Sequence, residues 1–287
     1  MFTLIRLEIL KLTRQKTFYV ALFALLLFCL VFLVGFHTTD FQRFFSRQKW
    51  YRESKFDITP FLNGPLYAAL AFGFVYYVLI PPFAALAGGH SIAGEAREGT
   101  LRMILSRPVS RLELGTAKFL AAFGYLVFII FFVVGLSLLV GRSAMGGGSL
   151  LVYRGVFAES QGGGLPFWVV GEAEAVKRLF LAAALGSIAM SVVVTLAFAL
   201  SSMFENPIVS IIGALCVFLV SWVIGNIEYY ERLKPYLFTT HMNFWKDAFQ
   251  AKIPWTETMR SMRWVAGYSV SFLTIGLAVF CRKDIKT

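Results

Sequence analysis

The hydrophobic pattern of this sequence consists of six long, unbroken apolar runs, separated by segments that carry all of the charge. At about 1.5 Å per helical residue, a run of ~20 residues matches a hydrocarbon core of ~30 Å. The runs lack the alternation of barrel strands, and backbone groups in lipid must pair within their own segment. The pattern therefore predicts an all-α integral membrane protein with six transmembrane helices, at residues 18–36, 66–89, 119–140, 179–202, 207–227 and 264–281.

Asparagines and prolines mark where some of these helices begin and bend. The second run begins after Asn63-Gly64-Pro65 and contains Pro81-Pro82. These prolines predict a bend toward its C-terminal end, because proline lacks a backbone donor and clashes with the preceding turn. Asn206 before Pro207 predicts an N-cap followed by proline at the first helical position. Spans four and five should therefore be joined by a hairpin too short to hold a domain.

The segment before the first span, residues 1–17, places Phe2, Ile5, Ile9 and Leu12 on one helical stripe, with basic residues elsewhere. An apolar stripe beside basic residues is typical of a helix that lies on the membrane surface. We therefore consider an N-terminal interfacial helix. A simple basic flank of the first span is the alternative, and both interpretations stay open.

The three longer polar segments on the other side of the membrane differ in character. Residues 41–52, FQRFFSRQKWYR, interleave aromatic and basic side chains, which suits a short helix at headgroup level. Glycine clusters at 145–149 and 161–164 predict flexible connections. The aromatic- and proline-containing segment 228–263 has the composition of a loop that folds partly back into the protein.

Charge placement suggests the orientation of the chain, which is 58% hydrophobic with a formal net charge of +11. The segments on the N-terminal side hold fewer Lys and Arg in total than those on the other side, but at higher density. Lys and Arg favour the cytoplasm, so we expect both termini there. Basic residues are scattered over both membrane faces, which indicates contact with lipid headgroups and argues against nucleic-acid binding.

Several chemistries are disfavoured by the sequence. The spans carry no ionisable Asp, Glu, Lys or Arg, which argues against a proton- or sodium-driven transporter. Residues 94–100, GEAREGT, have phosphate-loop glycine spacing but lack the lysine before Thr100. Residues 89–94, GHSIAG, lack the second glycine of a nucleophile elbow. No Cys or His spacing indicates a metal site. We therefore expect no catalytic residues, no metal and no cofactor in this chain.

The most charged interruption between spans, residues 94–118, reads GEAREGTLRMILSRPVSRLELGTAK. Proline at 108 predicts that a helix from about Ala93 ends near Ser106, and Ser110 with Glu113 forms a capping box for a second helix. Apolar side chains on the first helix would form a patch for docking a soluble partner; they are Leu101, Ile104 and Leu105, with Met103 nearby. The alternative is an ordinary charged loop.

This segment resembles the signature of type-two ABC transporter permeases, the exporter subunits with six spans per chain. The matching positions are Glu95, Glu98, Gly99, Thr100, Leu101, Pro108, Ser110, Arg111, Gly115 and Lys118. Residues 7–16 resemble the connecting helix of that family, and residues 280–286 resemble its C-terminal end. The resemblance follows the whole chain in span order and is strongest to bacterial permeases that are separate membrane subunits.

The resemblance implies a single permease domain over residues 1–287, in the plasma membrane of a bacterium or archaeon. Two such chains, identical or different, would pair, and each would bind a separate ATPase that holds ATP and Mg and drives export. The implied ATPase-coupling residues are Glu95, Glu98, Gly99, Thr100, Leu101, Ile104, Leu105, Pro108, Ser110 and Arg111. The alternatives are a non-transporting scaffold or sensor subunit, and then a lipid-modifying enzyme.

Overall fold

The computed structural model describes residues 1–38, 59–106, 109–153 and 167–283. The predicted surface helix at 41–52, the glycine cluster at 161–164 and Pro108 lie outside the described residues. Within them the helices are α1 Phe2–Arg14, α2 Lys16–Thr38, α3 Gly64–Val78, α4 Ile80–His90, α5 Ala93–Arg97, α6 Thr100–Leu105, α7 Arg111–Met145, α8 Glu172–Met203, α9 Pro207–Asn226 and α10 Trp255–Arg282.

The helices of the described residues allow five or six membrane crossings. In the described part of the chain, five helices are long and apolar enough to span a bilayer, and α3 with α4 makes a sixth crossing when the pair is taken as one span. The axes of α3 and α4 meet at 45° across Leu79, just before the predicted Pro81-Pro82 bend. The predicted helical membrane protein is confirmed, and so is the bend.

The predicted N-cap at Asn206 is confirmed, and Asn63 caps α3 in the same way. The side chain of Asn63 accepts a hydrogen bond from the backbone N–H of Leu66. The side chain of Asn206 accepts one from Ile208, with Pro207 at the first turn. Each cap pairs a backbone donor that the first helical turn leaves free.

Helix α8 forms the centre of the bundle. Its most apolar window is 78% buried, whereas the corresponding windows of α2, α9 and α10 are 17%, 22% and 17% buried. Small residues allow close approach: a Cβ on Gly88 of α4 would collide with the carbonyl oxygen of Val194 in α8. Association of helices in lipid depends on such close contacts, because lipid tails are as apolar as the side chains.

The segment after α7 contains two strands, β1 Leu150–Tyr153 and β2 Phe167–Val170. They pair antiparallel, with Leu150 opposite Val170 and Tyr153 opposite Phe167. The sequence did not predict this short two-stranded sheet, which is a local addition to an otherwise helical membrane protein. Both short stretches are rich in aromatic and β-branched residues, which favour strands, while glycines at 146–148 precede β1.

The last outer segment folds back onto the bundle, as its composition suggested. A 3-10 segment, Thr240–Phe249, buries Trp245, whose ring lies 5.1 Å from that of Phe72 and 4.8 Å from that of Tyr76. The Tyr76 hydroxyl donates to the carbonyl of Met242 at 3.3 Å. These contacts hold the segment against α3 and α8 on the side of the membrane opposite to α5 and α6.

Candidate functional site

The charged segment between spans two and three forms an elbow of two short helices, α5 and α6, rather than one. They are separated at Gly99, whose φ of +73° lies in the left-handed region that favours glycine. The prediction of a continuous helix from Ala93 to Ser106 is therefore wrong. The predicted second helix is confirmed: the Ser110 hydroxyl accepts a hydrogen bond from the N–H of Glu113 at 3.2 Å, where α7 begins.

Ser201, near the end of α8, fixes the start of the elbow. Its hydroxyl oxygen accepts hydrogen bonds from the backbone N–H groups of Ile92 at 3.1 Å and Ala93 at 2.8 Å. Ser201 is fully buried, so these two donors are paired away from water. The sequence offered no signal for this role, since Ser201 lies inside an apolar run far along the chain.

The apolar side of the elbow faces the protein. Leu101 is 3% exposed, and Ile104 packs against the same small core. The other buried members of that core are Ile92, Leu114, Phe198 and Phe280. In this structure Leu101 is covered by the bundle and Ile104 is partly covered, so both help to fasten the elbow, and their expected role in ATPase coupling stays a prediction. The third predicted member, Leu105, has a side chain outside the described part of the structure.

The outer side of the elbow is polar and open. Arg97, Glu98, Gly99 and Ser106 are exposed, and Met103 is 67% exposed. Met103 is thus an accessible large apolar side chain on this face. Thr100 is half-buried, and its hydroxyl lies 3.4 Å from the carbonyl oxygen of Glu95. Of the predicted coupling residues, Glu98 and Gly99 are on the open side and Glu95 is not.

Glu95 lies at the centre of a four-residue ionic cluster. Its Oε1 accepts from Lys118 Nζ at 2.6 Å and from Lys11 Nζ at 2.5 Å. Lys118 also lies 3.1 Å from Glu8 Oε1, and Lys11 lies 3.6 Å from the same oxygen. The cluster joins three elements: α1 supplies Glu8 and Lys11, α5 supplies Glu95, and α7 supplies Lys118.

Burial makes this cluster sensitive to its charge balance. The side chains of Lys118, Glu95 and Glu8 are 1%, 8% and 12% exposed, and Lys11 is 43% exposed. Burial opposes the charged form of Glu95, yet Lys118 and Lys11 outweigh it and hold the pKa of this carboxyl below its ordinary value. Burial likewise opposes charge on Lys11, but Glu95 and Glu8 raise its pKa above the ordinary value. Glu95 and Lys11 therefore stay charged, and the formal charges of the two lysines and two glutamates in the cluster cancel.

The sequence pattern pointed to Glu95 but not to these partners. Its partners, Lys11 and Lys118, both lie outside the segment 95–111 that holds the expected coupling residues. Lys118 matched the permease signature without an assigned role. The remaining clue was Glu8, the one acidic residue in the segment before α2, with Lys11 three positions later on the same helix face.

Arg111 connects the start of α7 to the end of the last span. Its guanidinium donates to the carbonyl oxygens of Cys281 at 3.3 Å and Lys283 at 2.6 Å. Carbonyls at a helix C-terminus lack intrahelical partners and carry partial negative charge, so a cation is favourable there. Lys283 in turn donates to the carbonyl of Ser202, at 3.2 Å. The ends of α7, α8 and α10 on the elbow side of the bundle are thereby held together.

In this arrangement four charged side chains link α1, the elbow and α7. Over the residues that the structure describes, no group of three or more His, Cys, Asp or Glu could hold a metal ion. The ionic cluster can transmit movement between α1, the elbow and α7, because displacing any one of them separates buried opposite charges.

Comparison with known proteins agrees with this architecture. The sequence profile of the family described as ABC-2 family transporter protein matches residues 4–160, more than half of the chain. The matched region contains α1, the elbow and the first three spans, and therefore all four residues of the ionic cluster. No curated protein matches the chain. The chain belongs to the ABC-2 family of transporter proteins, and it is a multi-pass membrane permease subunit of an ABC transporter.

Proposed function

We propose that this chain couples ATP hydrolysis by a separate ATPase subunit to export of a substrate across the plasma membrane, with both termini in the cytoplasm. ATP and Mg belong to the ATPase. The ionic cluster carries the proposal: Glu95 Oε1 lies between the ammonium groups of Lys11 and Lys118. The predicted spans contain no Asp, Glu, Lys or Arg that could relay protons or bind a coupling ion. The energy for transport would therefore come from outside the bilayer.

Movement imposed on the elbow would spread along three routes. A shift of Glu95 would displace α1 through its ion pair with Lys11, and α7 through its ion pair with Lys118. Ser201 ties the start of α5 to α8, the most buried helix. Buried, mutually paired charges favour one register of the elements that carry them over others. The elbow would therefore move with α1 and the third span as a unit.

The ATPase would contact the open side of the elbow, at Arg97, Met103 and Ser106. Met103 is the apolar anchor of this surface, since a methionine adapts its shape to an irregular groove. Burying a methionine side chain fully contributes about 1.5–3 kcal/mol. The exposed charges around Met103 would orient the ATPase on the elbow and contribute less to the free energy of binding.

A second permease chain would complete the pathway. Helices α2 and α9 leave most of their apolar surface outside the bundle, and a paired chain would cover part of that surface while lipid covers the rest. The substrate would pass between the two chains. The 3-10 segment Thr240–Phe249 would close the outer end of this route in the resting state.

The experiment is purification of the tagged full-length chain together with a co-expressed ABC ATPase, followed by reconstitution in proteoliposomes. We expect ATP hydrolysis to depend on the permease and Met103→Asp to abolish association with the ATPase. Tyr229→Asp is the matched control, because Tyr229 is 89% exposed on the opposite side of the membrane. A scaffold or sensor subunit would leave hydrolysis independent of the chain, and that result would contradict the proposal.

A further inference from the structure

Span two is broken at Leu79, where the axes of α3 and α4 meet at 45°. Pro81 and Pro82 follow the break, and neither has a backbone N–H that could donate to the carbonyl four positions earlier. Two consecutive hydrogen bonds of a continuous helix are therefore missing. At the break itself, the N–H of Leu79 donates to the Val75 carbonyl at 2.8 Å, but that of Phe83 reaches the Leu79 carbonyl only at 3.4 Å. The backbone here is held less firmly than in a helix interior.

The half of the span that lies away from the elbow, α3, is fixed at both of its ends. At its start it approaches α7 closely, since a Cβ on Gly64 would lie 2.7 Å from the backbone nitrogen of Arg142. At its other end, the Tyr77 hydroxyl donates to the side-chain oxygen of Asn243 at 2.6 Å, within the 3-10 segment Thr240–Phe249. The position of α3 is therefore set by α7 and by the 3-10 segment.

The half next to the elbow, α4, is fixed by different elements. The approach of Gly88 to the backbone of α8 is one of several close contacts in its last turn. A Cβ on Gly89 would lie 2.6 Å from the side chain of Ile211 in α9. The ring of His90 lies over Gly94 of α5 and leaves no space there for a Cβ. Such close packing leaves α4 little freedom relative to α8, α9 and the elbow.

The break between these two halves lies open on one side. Val78 is 59% exposed, and Pro82, four residues later on the same helix face, is exposed as well. A change in the angle between α3 and α4 on this side therefore displaces few packed side chains. Packed interiors resist deformation, so movement is concentrated where contacts and hydrogen bonds are fewest.

We propose that Leu79 is the hinge of span two. The helices on either side of it keep their shape and their contacts, and the angle between them changes. Displacement of the elbow relative to the 3-10 segment is then taken up at this position, because hinges are a few element-terminal residues that absorb changes in φ and ψ. The inference does not depend on the proposed transport function, since it concerns the permease chain by itself.

The test measures distances between spin labels on the purified full-length chain in detergent. The two cysteines that are not buried, Cys216 and Cys281, are first replaced by alanine. One label pair, Phe74→Cys with Met103→Cys, spans the hinge, and these positions are 56% and 67% exposed. The control pair, Val220→Cys with Met103→Cys, joins the same elbow label to α9 without crossing the hinge. We expect a broader distance distribution for the first pair than for the control pair.

Pro82→Ala tests the cause of this breadth, because it returns an N–H to the helix at an exposed position. It should narrow the Phe74–Met103 distribution and leave the Met103–Val220 distribution unchanged. Pro207→Ala is the matched control and should change neither, because a first-turn N–H has no intrahelical acceptor. A native Phe74–Met103 distribution no broader than that of the control pair, or one that Pro82→Ala leaves as broad, would show a rigid bend and overturn the proposal.

Discussion

The carboxylate of Glu95 lies 2.6 Å from the ammonium of Lys118, and the two side chains are 8% and 1% exposed. Residues of this kind are not independent, because removing either one leaves the other charged and buried. In this chain the pair also links two elements, the elbow and the third span. Its loss should therefore affect both folding and coupling.

Replacing Lys118 with methionine tests the contribution of this pair to stability. Glu8, Lys11 and Glu95 would then carry an unbalanced negative charge, and we expect a loss of about 3–5 kcal/mol. Thermal unfolding of the purified chain in detergent measures it as a lower Tm. The control is Arg142→Gln: Arg142 pairs with Glu172 but is 65% exposed. That variant should lose less than about 1 kcal/mol.

The double variant Glu95→Gln with Lys118→Met completes the cycle. It leaves Glu8 and Lys11 to balance each other, so part of the stability lost in Lys118→Met should return. If the two single effects simply add, the Glu95–Lys118 contact carries no coupling energy. Such additivity would also remove the physical basis for transmitting movement from the elbow to α7 through the ionic cluster.

Substitutions at Ile104 test whether the inner face of the elbow packs on the bundle or binds the ATPase. Its side chain packs on the core that contains Leu101, so Ile104→Asp should lower the stability of the chain by about 2–4 kcal/mol. Ile104→Val removes one methylene group and should cost only ~0.5–1.5 kcal/mol. A normally stable Ile104→Asp chain that loses only its ATPase would show that this side chain faces the partner instead.

The spans could be predicted from the sequence because each is a continuous apolar run of membrane length, an entirely local property. The bend before Pro81 and the N-cap at Asn206 could also be predicted, because each depends only on neighbouring residues. For the elbow, the pattern identified an apolar face but not what covers it. Leu101 satisfies the same periodicity whether it lies against Phe198 of its own chain or in the groove of a partner.

The sequence pattern could not predict contacts between residues that lie far apart in the chain. Glu8 and Lys118 meet although 110 positions separate them, and Ser201 reaches Ala93 across 108. Which lysine approaches Glu95 depends on how α1 lies against α7, and that follows from packing of the whole bundle. The break at Gly99 could have been suspected, since glycine tolerates the left-handed conformation, but a helix can also pass through glycine at modest cost.

The orientation of the chain gives a prediction that cysteine labelling can check. The three native cysteines are replaced first, because Cys216 is exposed. In intact cells, a membrane-impermeant maleimide should label Tyr229→Cys, which lies in the last outer segment. Met103→Cys, on the elbow and 67% exposed, should react only after permeabilisation. The reverse pattern would place the elbow outside and remove it from contact with a cytoplasmic ATPase.

The ionic cluster should also give α1 a pH-dependent attachment to the elbow. The pKa of Glu95 is below its ordinary value of 4.5 in the folded chain, so its contribution is present above that value and is lost as pH falls through the folded-state pKa. The pKa of Lys11 is above its ordinary value of 10.5, so its contribution is lost only as pH rises through the folded-state pKa. Between these limits Lys11 and Glu95 both stay charged, so their ion pair persists and α1 should stay attached to the elbow.

Labels on cysteines introduced at Phe2 and Ser106, both exposed, would report the distance between α1 and the elbow. We expect it to be constant at neutral pH and to lengthen in acid below the ordinary carboxyl range. Glu95→Gln should show the longer distance already at neutral pH and lose the Glu95-dependent acid transition, since it removes the titrating group and its charge together. Glu113→Gln is the control, because Glu113 is exposed at the start of α7 and lies outside the cluster. An acid transition that is the same in Glu95→Gln and in the native chain would mean that another group holds α1 in place.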